Sequence, residues 1–234
     1  MVEPDRSCSV DADDPVLTGR LRAAAAVRRL GHALVGHDVD ARAAEHVASL
    51  MDAAAEEIET FARRSRVAEL GHHPRFREAV ESGQLSSSIE DGETIELFAE
   101  SFVSGAANPL GTAVTLYRDG DEVVAVGQLG AAFEGAPGRG HGGIVAAIVD
   151  ETMGGLLPII GEPAFTARLS LTYRAPAALG EELTFRARLS RRSGRKLTIT
   201  AEGRCAHRVF VEAEALFISV DPKNFASDAD RRLT

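Results

Sequence analysis

The stretch from Phe133 to Leu157, FEGAPGRGHGGIVAAIVDETMGGLL, constrains the fold more than any other part of the chain. It joins a glycine-rich turn to a His-Gly-Gly step, and that step to an apolar helix with Asp150 inside it. Ile144, Val145, Ile148, Val149 and Met153 leave no polar stripe, the pattern of a helix buried on all sides. Such a helix needs other elements wrapped around it. The glycine-rich entry lets a ligand come close to backbone N–H groups, because no side chain stands in the way. The first N–H groups of a helix lack internal partners, so they can donate to an anion or a polarised carbonyl.

An aspartate inside that helix is costly unless it is hydrogen-bonded or has a chemical use. Asp150 shares a helix face with Ala147, Ala146 and Gly143, at three, four and seven positions back. All three are small, which leaves room for a ligand beside the carboxylate. Glu151 lies about 100° round the helix and is the rival acid; a salt bridge is the expectation for it. The same segment also satisfies G-x-G-x-x-G through Gly138, Gly140 and Gly143, after a strand and before a helix. A dinucleotide fold, however, requires continued strand–helix alternation. After Pro158 only strand-like runs follow, and no acid closes the next strand to grip a ribose.

The segment resembles the signature of the hotdog-fold acyl-CoA thioesterases of the PaaI-like superfamily: a Phe-x-Gly-x-Pro-Gly lead, His-Gly-Gly, and an acid nine positions after the His, here His141 to Asp150. Asn108-Pro-Leu-Gly111, Tyr173-Arg-Ala-Pro176 and Gly194-Arg-Lys196 fit the same family, and the resemblance runs from about Asn108 to Val220. It implies an α+β hotdog fold, an antiparallel sheet wrapped around a central helix. The activity it implies is hydrolysis of an acyl-CoA, or an acyl-carrier-protein thioester, to free acid and thiol. Asp150 would be general base or nucleophile, the Gly142 N–H would polarise the thioester carbonyl with Gly143 beside it, and Thr166 would hold the attacking water or orient Asp150. His141 would position the turn. Arg195 and Lys196 would seat the coenzyme A phosphates. No metal and no cofactor beyond the coenzyme A of the substrate is implied. Some branches place Asn or Gln ahead of His-Gly-Gly; Gly135 stands there in this chain. A non-catalytic acyl-CoA sensor on the same fold is the alternative, and no Asp/His hydratase signature is evident.

The chemistry of thioester cleavage suits these residue types. A carboxylate can activate water or attack directly, and a backbone N–H at a helix start can stabilise the oxyanion. One helix, however, rises about 1.5 Å per residue, so Gly142 and Asp150 stand about 12 Å apart along it. The expectation is a site shared across a two-fold homodimer, alone or paired into a tetramer.

Flanking this segment, six strand-like runs are expected at Thr112–Arg118, Glu122–Leu129, Phe165–Arg174, Glu181–Arg192, Lys196–Arg204 and Val209–Val220, with Asp119-Gly120 as the first hairpin turn. Leu17, Leu21, Ala24, Leu30 and Leu34 predict one helix from Pro15; Val47, Leu50, Met51, Ala54, Ile58 and Phe61 predict another from near Asp40. A short third helix after Pro74 and a linker from Ser82 to Thr94 complete the extension. The expected units are a disordered tail at 1–14, a helical extension and linker at 15–93, a hotdog domain at 94–222 and a polar tail at 223–234. Packing against the outside of the sheet is the expectation for the extension, with a cap, dimer support or partner surface as alternatives.

Charge narrows the partners. The 234 residues carry a net charge of −9 and only 5% aromatics, which argues against nucleic-acid and anionic-membrane binding. Arg191-Arg-Ser-Gly-Arg-Lys196 is a basic cluster within that acidic chain, either a solvated turn or a phosphate seat. Two cysteines are too few for a disulfide scaffold, and the histidines show no metal-ligand spacing. The acidic N-terminus has no apolar core, and no apolar run reaches the ~18 residues of a membrane span. A cytoplasmic location is the expectation.

Overall fold

The computed structural model describes residues 14–64, 81, 89–96 and 98–221. The expected N-terminal tail, the third helix, most of the linker and the C-terminal tail lie outside them. Helix α1 (Pro15–Gly36) starts where the Asp14 carboxylate accepts from the Val16 N–H at 2.8 Å, with proline in the first turn. Helix α2 (Ala41–Glu59) starts in the same way, the Asp40 carboxylate accepting from the Ala43 N–H at 2.7 Å.

Six strands follow: β1 (Thr115–Asp119), β2 (Glu122–Gln128), β3 (Ala164–Tyr173), β4 (Glu182–Ser193), β5 (Lys196–Cys205) and β6 (Arg208–Ser219). Between β2 and β3 lie a 3-10 turn (Ala131–Phe133), helix α3 (Gly142–Gly154) and the short helix α4 (Leu156–Ile159). The sheet order is β1-β2-β4-β5-β6-β3 and every pairing is antiparallel. That topology rules out a dinucleotide fold, which needs parallel strands. The strands wrap α3, and this is the hotdog arrangement.

Alternation makes the core. On β5, Leu197, Ile199 and Ala201 face α3, while Lys196, Thr198 and Thr200 face away. Phe185, Phe210 and Phe217 are fully buried beneath Val145, Ile148, Val149 and Met153. Burying each such side chain contributes about 1.5–3 kcal/mol. At the far edge, β1 is covered by the segment around Thr94, where the Ile95 N–H donates to the Leu116 carbonyl at 2.8 Å. Strand β3 forms the other edge, and its residues are mostly exposed.

Two expectations change. Helix α3 is not buried on all sides. Its small-residue face is half open, and a Cβ built on Gly154 would meet nothing within 4 Å. The run from Gly142 to Ile159 also reaches 18 residues at a mean hydropathy of 1.3, enough by length and composition for a membrane span. Its bulky apolar side chains face the sheet, so the same composition here builds a core helix.

Among the described residues, the main contact of the helical extension is with the 3-10 turn and not with a strand. Helix α1 packs on the 3-10 turn, where His32 meets the Phe133 ring edge-on at 5.0 Å and its Nδ1 accepts from the Ala132 N–H at 3.0 Å. A guanidinium nitrogen of Arg28 donates to the Ala106 carbonyl at 2.9 Å, tying α1 to the loop before β1. Helix α2 buries none of its residues; Leu50, Ile58 and Phe61 are exposed.

Candidate active site

The glycine-rich turn is held at both ends by backbone bonds. The His141 N–H donates to the Phe133 carbonyl at 2.8 Å, and the Gly140 N–H donates to the Ala177 carbonyl at 2.9 Å. The second bond brings the Tyr173–Pro176 motif beside His-Gly-Gly, although more than thirty residues separate them in sequence. Gly135 allows no side chain: a Cβ there would sit 2.9 Å from the His141 Cα. An Asn or Gln at this position would require a different turn, which accounts physically for the glycine.

His141 caps α3. Its Nδ1 accepts from the Gly143 N–H at 3.0 Å, so the neutral ring carries its proton on Nε2. This bond occupies the Gly143 N–H. The Gly142 N–H has no acceptor among the described residues, which leaves it as the donor available to a ligand. Gly142 lines an open cleft of about 760 Å3 together with Glu134, Arg139, His141, Tyr173 and Arg174. That volume falls within the range of small-ligand sites. The Tyr173 hydroxyl, which sequence reasoning did not single out, donates to the Gly142 carbonyl at 2.7 Å.

Asp150 stands two turns further along α3, half-buried, and Thr166 Oγ1 donates to its Oδ1 at 2.9 Å. Burial raises the Asp150 pKa above its ordinary 3.8; the Thr166 bond pulls it down, and the neighbouring Glu151 charge adds a small upward push. Thr166 reaches this carboxylate because of a bulge. The β3–β6 register shifts between Thr166 and Arg168, so Ala167 is the extra residue. Thr166, Leu169, Leu171 and Tyr173 consequently all face the helix. Without the bulge, Thr166 would point away from it.

Glu151 makes hydrogen bonds where a salt bridge was expected: the hydroxyls of Ser101 and Ser104 both donate to its Oε1. It anchors the loop before β1 to α3. Neither Asp150 nor Thr166 is among the residues lining the Gly142 cleft. Within one chain the donor and the carboxylate open on different places.

The basic cluster occupies the β4–β5 turn, with Gly194 at a φ of +56°. Part of its charge is engaged. A guanidinium nitrogen of Arg192 lies 2.6 Å from Glu162 Oε2, and Arg195 Nε donates to the Ser219 carbonyl at 2.9 Å. Pairing aligns Lys196 with Ile218 and Ile218 with Phe165. Lys196 thus starts two strands, roughly 10 Å, from the Thr166 neighbourhood, on the opposite face of the sheet.

An antiparallel sheet around one apolar helix, with the uncapped Gly142 in the lining of a cleft, defines a hotdog fold with a candidate ligand site. The thioesterase superfamily profile matches residues 138–211, from the glycine-rich turn into β6. Acyl-coenzyme A thioesterase THEM4 from Bos taurus is 30% identical over 129 residues, which is 53% of this chain and 53% of that protein. The Mus musculus THEM4 is 36% identical over 102 residues, 43% of this chain and 44% of its own. The chain thus spans about half the length of the curated relatives it matches. A solved thioesterase superfamily protein superposes with a TM-score of 0.68 at 27% identity, over 92% of this chain and 93% of its own. Residues 138–211 thus match the thioesterase superfamily, and the fold they sit in is the hotdog fold.

Proposed function

We propose that the protein hydrolyses an acyl-CoA thioester to a free carboxylic acid and coenzyme A. The Gly142 N–H polarises the carbonyl, and Asp150 acts as base or nucleophile. The observation that carries this reading is the unpartnered Gly142 N–H at the start of α3, opening on a cleft sized for a small ligand. A carbonyl oxygen seated there gains a bond that strengthens as it becomes an oxyanion. Asp150, held by Thr166, supplies the group that delivers or replaces water. The activity named for the THEM4 relatives supports the choice of thioester. Nothing in this scheme calls for a metal or a cofactor beyond the substrate's own coenzyme A.

The working unit in this reading is a two-fold homodimer, with Gly142 of one chain facing Asp150 of the other. Three features support it: the length of α3 between the two residues, the cleft that includes Gly142 but not Asp150, and the open edge of β3 beside the half-exposed face of α3. Asp150→Asn and Gly142→Pro, each inactive alone, are mixed and allowed to exchange subunits. Mixed dimers carry one intact site of two, so about a quarter of the sites should return. Folded, exchanging variants that regain no thiol release would overturn the shared site. Tight acyl-CoA binding by the wild type with no thiol release would indicate a sensor rather than an enzyme.

A further inference from the structure

The Gly142–Gly143 peptide is gripped from both sides. Its carbonyl oxygen accepts from the Tyr173 hydroxyl at 2.7 Å, and its N–H donates to His141 Nδ1 at 3.0 Å. The two grips come from different parts of the fold, one from the residue capping the helix and the other from the end of an edge strand. Both glycines lack the side chain that would restrict their backbone. A Cβ on Gly142 would lie 3.4 Å from the Tyr173 hydroxyl, so the ring packs directly against the bare backbone. Tyr173 pairs with Val211 on β6, which sets both its height and the side of the sheet it faces.

We propose that Tyr173, acting with His141, is a positioning residue that aims the Gly142 N–H into the cleft. The inference rests on Gly142 being the carbonyl donor. The donated N–H belongs to the peptide just before the clamped one, so only the Gly142 torsions separate it from the clamp. Fixing the plane of the clamped peptide limits those torsions. A donor of this kind is effective only when it is already directed at the position the oxyanion will occupy. Tyr173 does not touch the reacting atoms in this scheme. Its phenol holds the backbone that does.

The test uses the full chain. Tyr173→Phe keeps the ring and its packing but removes the bond to the Gly142 carbonyl. The expected result is a kcat lower by roughly tenfold, with KM and thermal midpoint little changed, because a loosened donor costs more in the transition state than in substrate binding. A spectroscopic readout separates positioning from general stability. Asp150→Asn is loaded with an acyl-CoA carrying a 13C label at the thioester carbonyl; hydrogen bonding from Gly142 should displace the carbonyl resonance from its free value. Adding Tyr173→Phe should shrink that displacement.

His141 supplies an independent arm. His141→Ala should lose activity, and His141→Asn should restore part of it, because an Asn oxygen can cap the same N–H. A displaced resonance that Tyr173→Phe leaves unmoved, or a folded Tyr173→Phe enzyme with wild-type kcat, overturns the clamp and leaves the Gly142 reading standing. No displacement in Asp150→Asn itself overturns both.

Discussion

Asp150 is a carboxyl whose surroundings favour its neutral form, and this has two opposite consequences. Its pKa is raised mainly by burial. The folded state therefore holds the Asp150 proton to higher pH than the unfolded chain does. The resulting stability is fully present below the unfolded pKa and is lost as pH rises through the folded value. Asp150→Asn, which is never charged, should be at least as stable as wild type near neutrality. Its advantage should shrink as pH falls through the raised pKa, as urea titrations at several pH values would show. Turnover runs the other way: a base or nucleophile must be ionised, so the acid limb of kcat/KM should lie above the ordinary carboxylate range. Folded Asp150→Asn should show no measurable turnover. Glu151→Gln, by contrast, loses the charged acceptor for Ser101 and Ser104, so it should cost about 1–2 kcal/mol in stability while leaving kcat within a few-fold.

Among the elements, β3 and α1 carry consequences that no single residue conveys. Strand β3 must present Thr166 and Tyr173 on one face, and the extra residue Ala167 makes that possible. Deleting Ala167 restores strict alternation and sets the two residues on opposite faces. One of the two contacts should break, and kcat should fall at least as far as in Thr166→Ala, with far-ultraviolet circular dichroism showing the sheet retained. Helix α1 is docked through His32, which meets the Phe133 ring edge-on and accepts from the Ala132 N–H. His32→Ala removes both interactions, and a loss of about 1–3 kcal/mol is expected. Hydrogen exchange should show it locally, as faster exchange at Ala132 and through the turn that leads to His141. A uniform stability loss with no local change there would place α1's support elsewhere.

At the scale of the whole molecule, the basic turn between β4 and β5 separates structural from free charge. Arg192 and Arg195 are committed to Glu162 and to the end of β6. Arg191 and Lys196 make no ion pair among the described residues, so they are the better candidates for phosphate contacts. Replacing Arg191 and Lys196 with Ala should raise KM for CoA thioesters, with less effect on a short thioester that lacks the nucleotide. Added salt should weaken the wild type more than the double variant. Arg195→Ala should in addition lower stability. Equal losses on both substrates would assign the cluster a structural role.

The elements themselves were legible in the sequence because each depends on short-range pattern. Period-2 alternation marked the six strands to within about three residues, and Pro15 and Asp40 marked the helix starts. Asp150 fell on the helix that His141 caps, and the Thr166 hydroxyl donates to its carboxylate. Three features depended on long-range packing. The Tyr173 grip on Gly142 joins positions 31 apart through a strand register, and a bulge decides which way Thr166 points. Glu151 found serine hydroxyls because a loop some fifty residues earlier folds over α3. Helix α1 settled on a 3-10 turn rather than on a strand, since its apolar periodicity specifies a buried face but not the surface that buries it. Local pattern determines which face of an element is apolar; only the assembled sheet decides what meets that face.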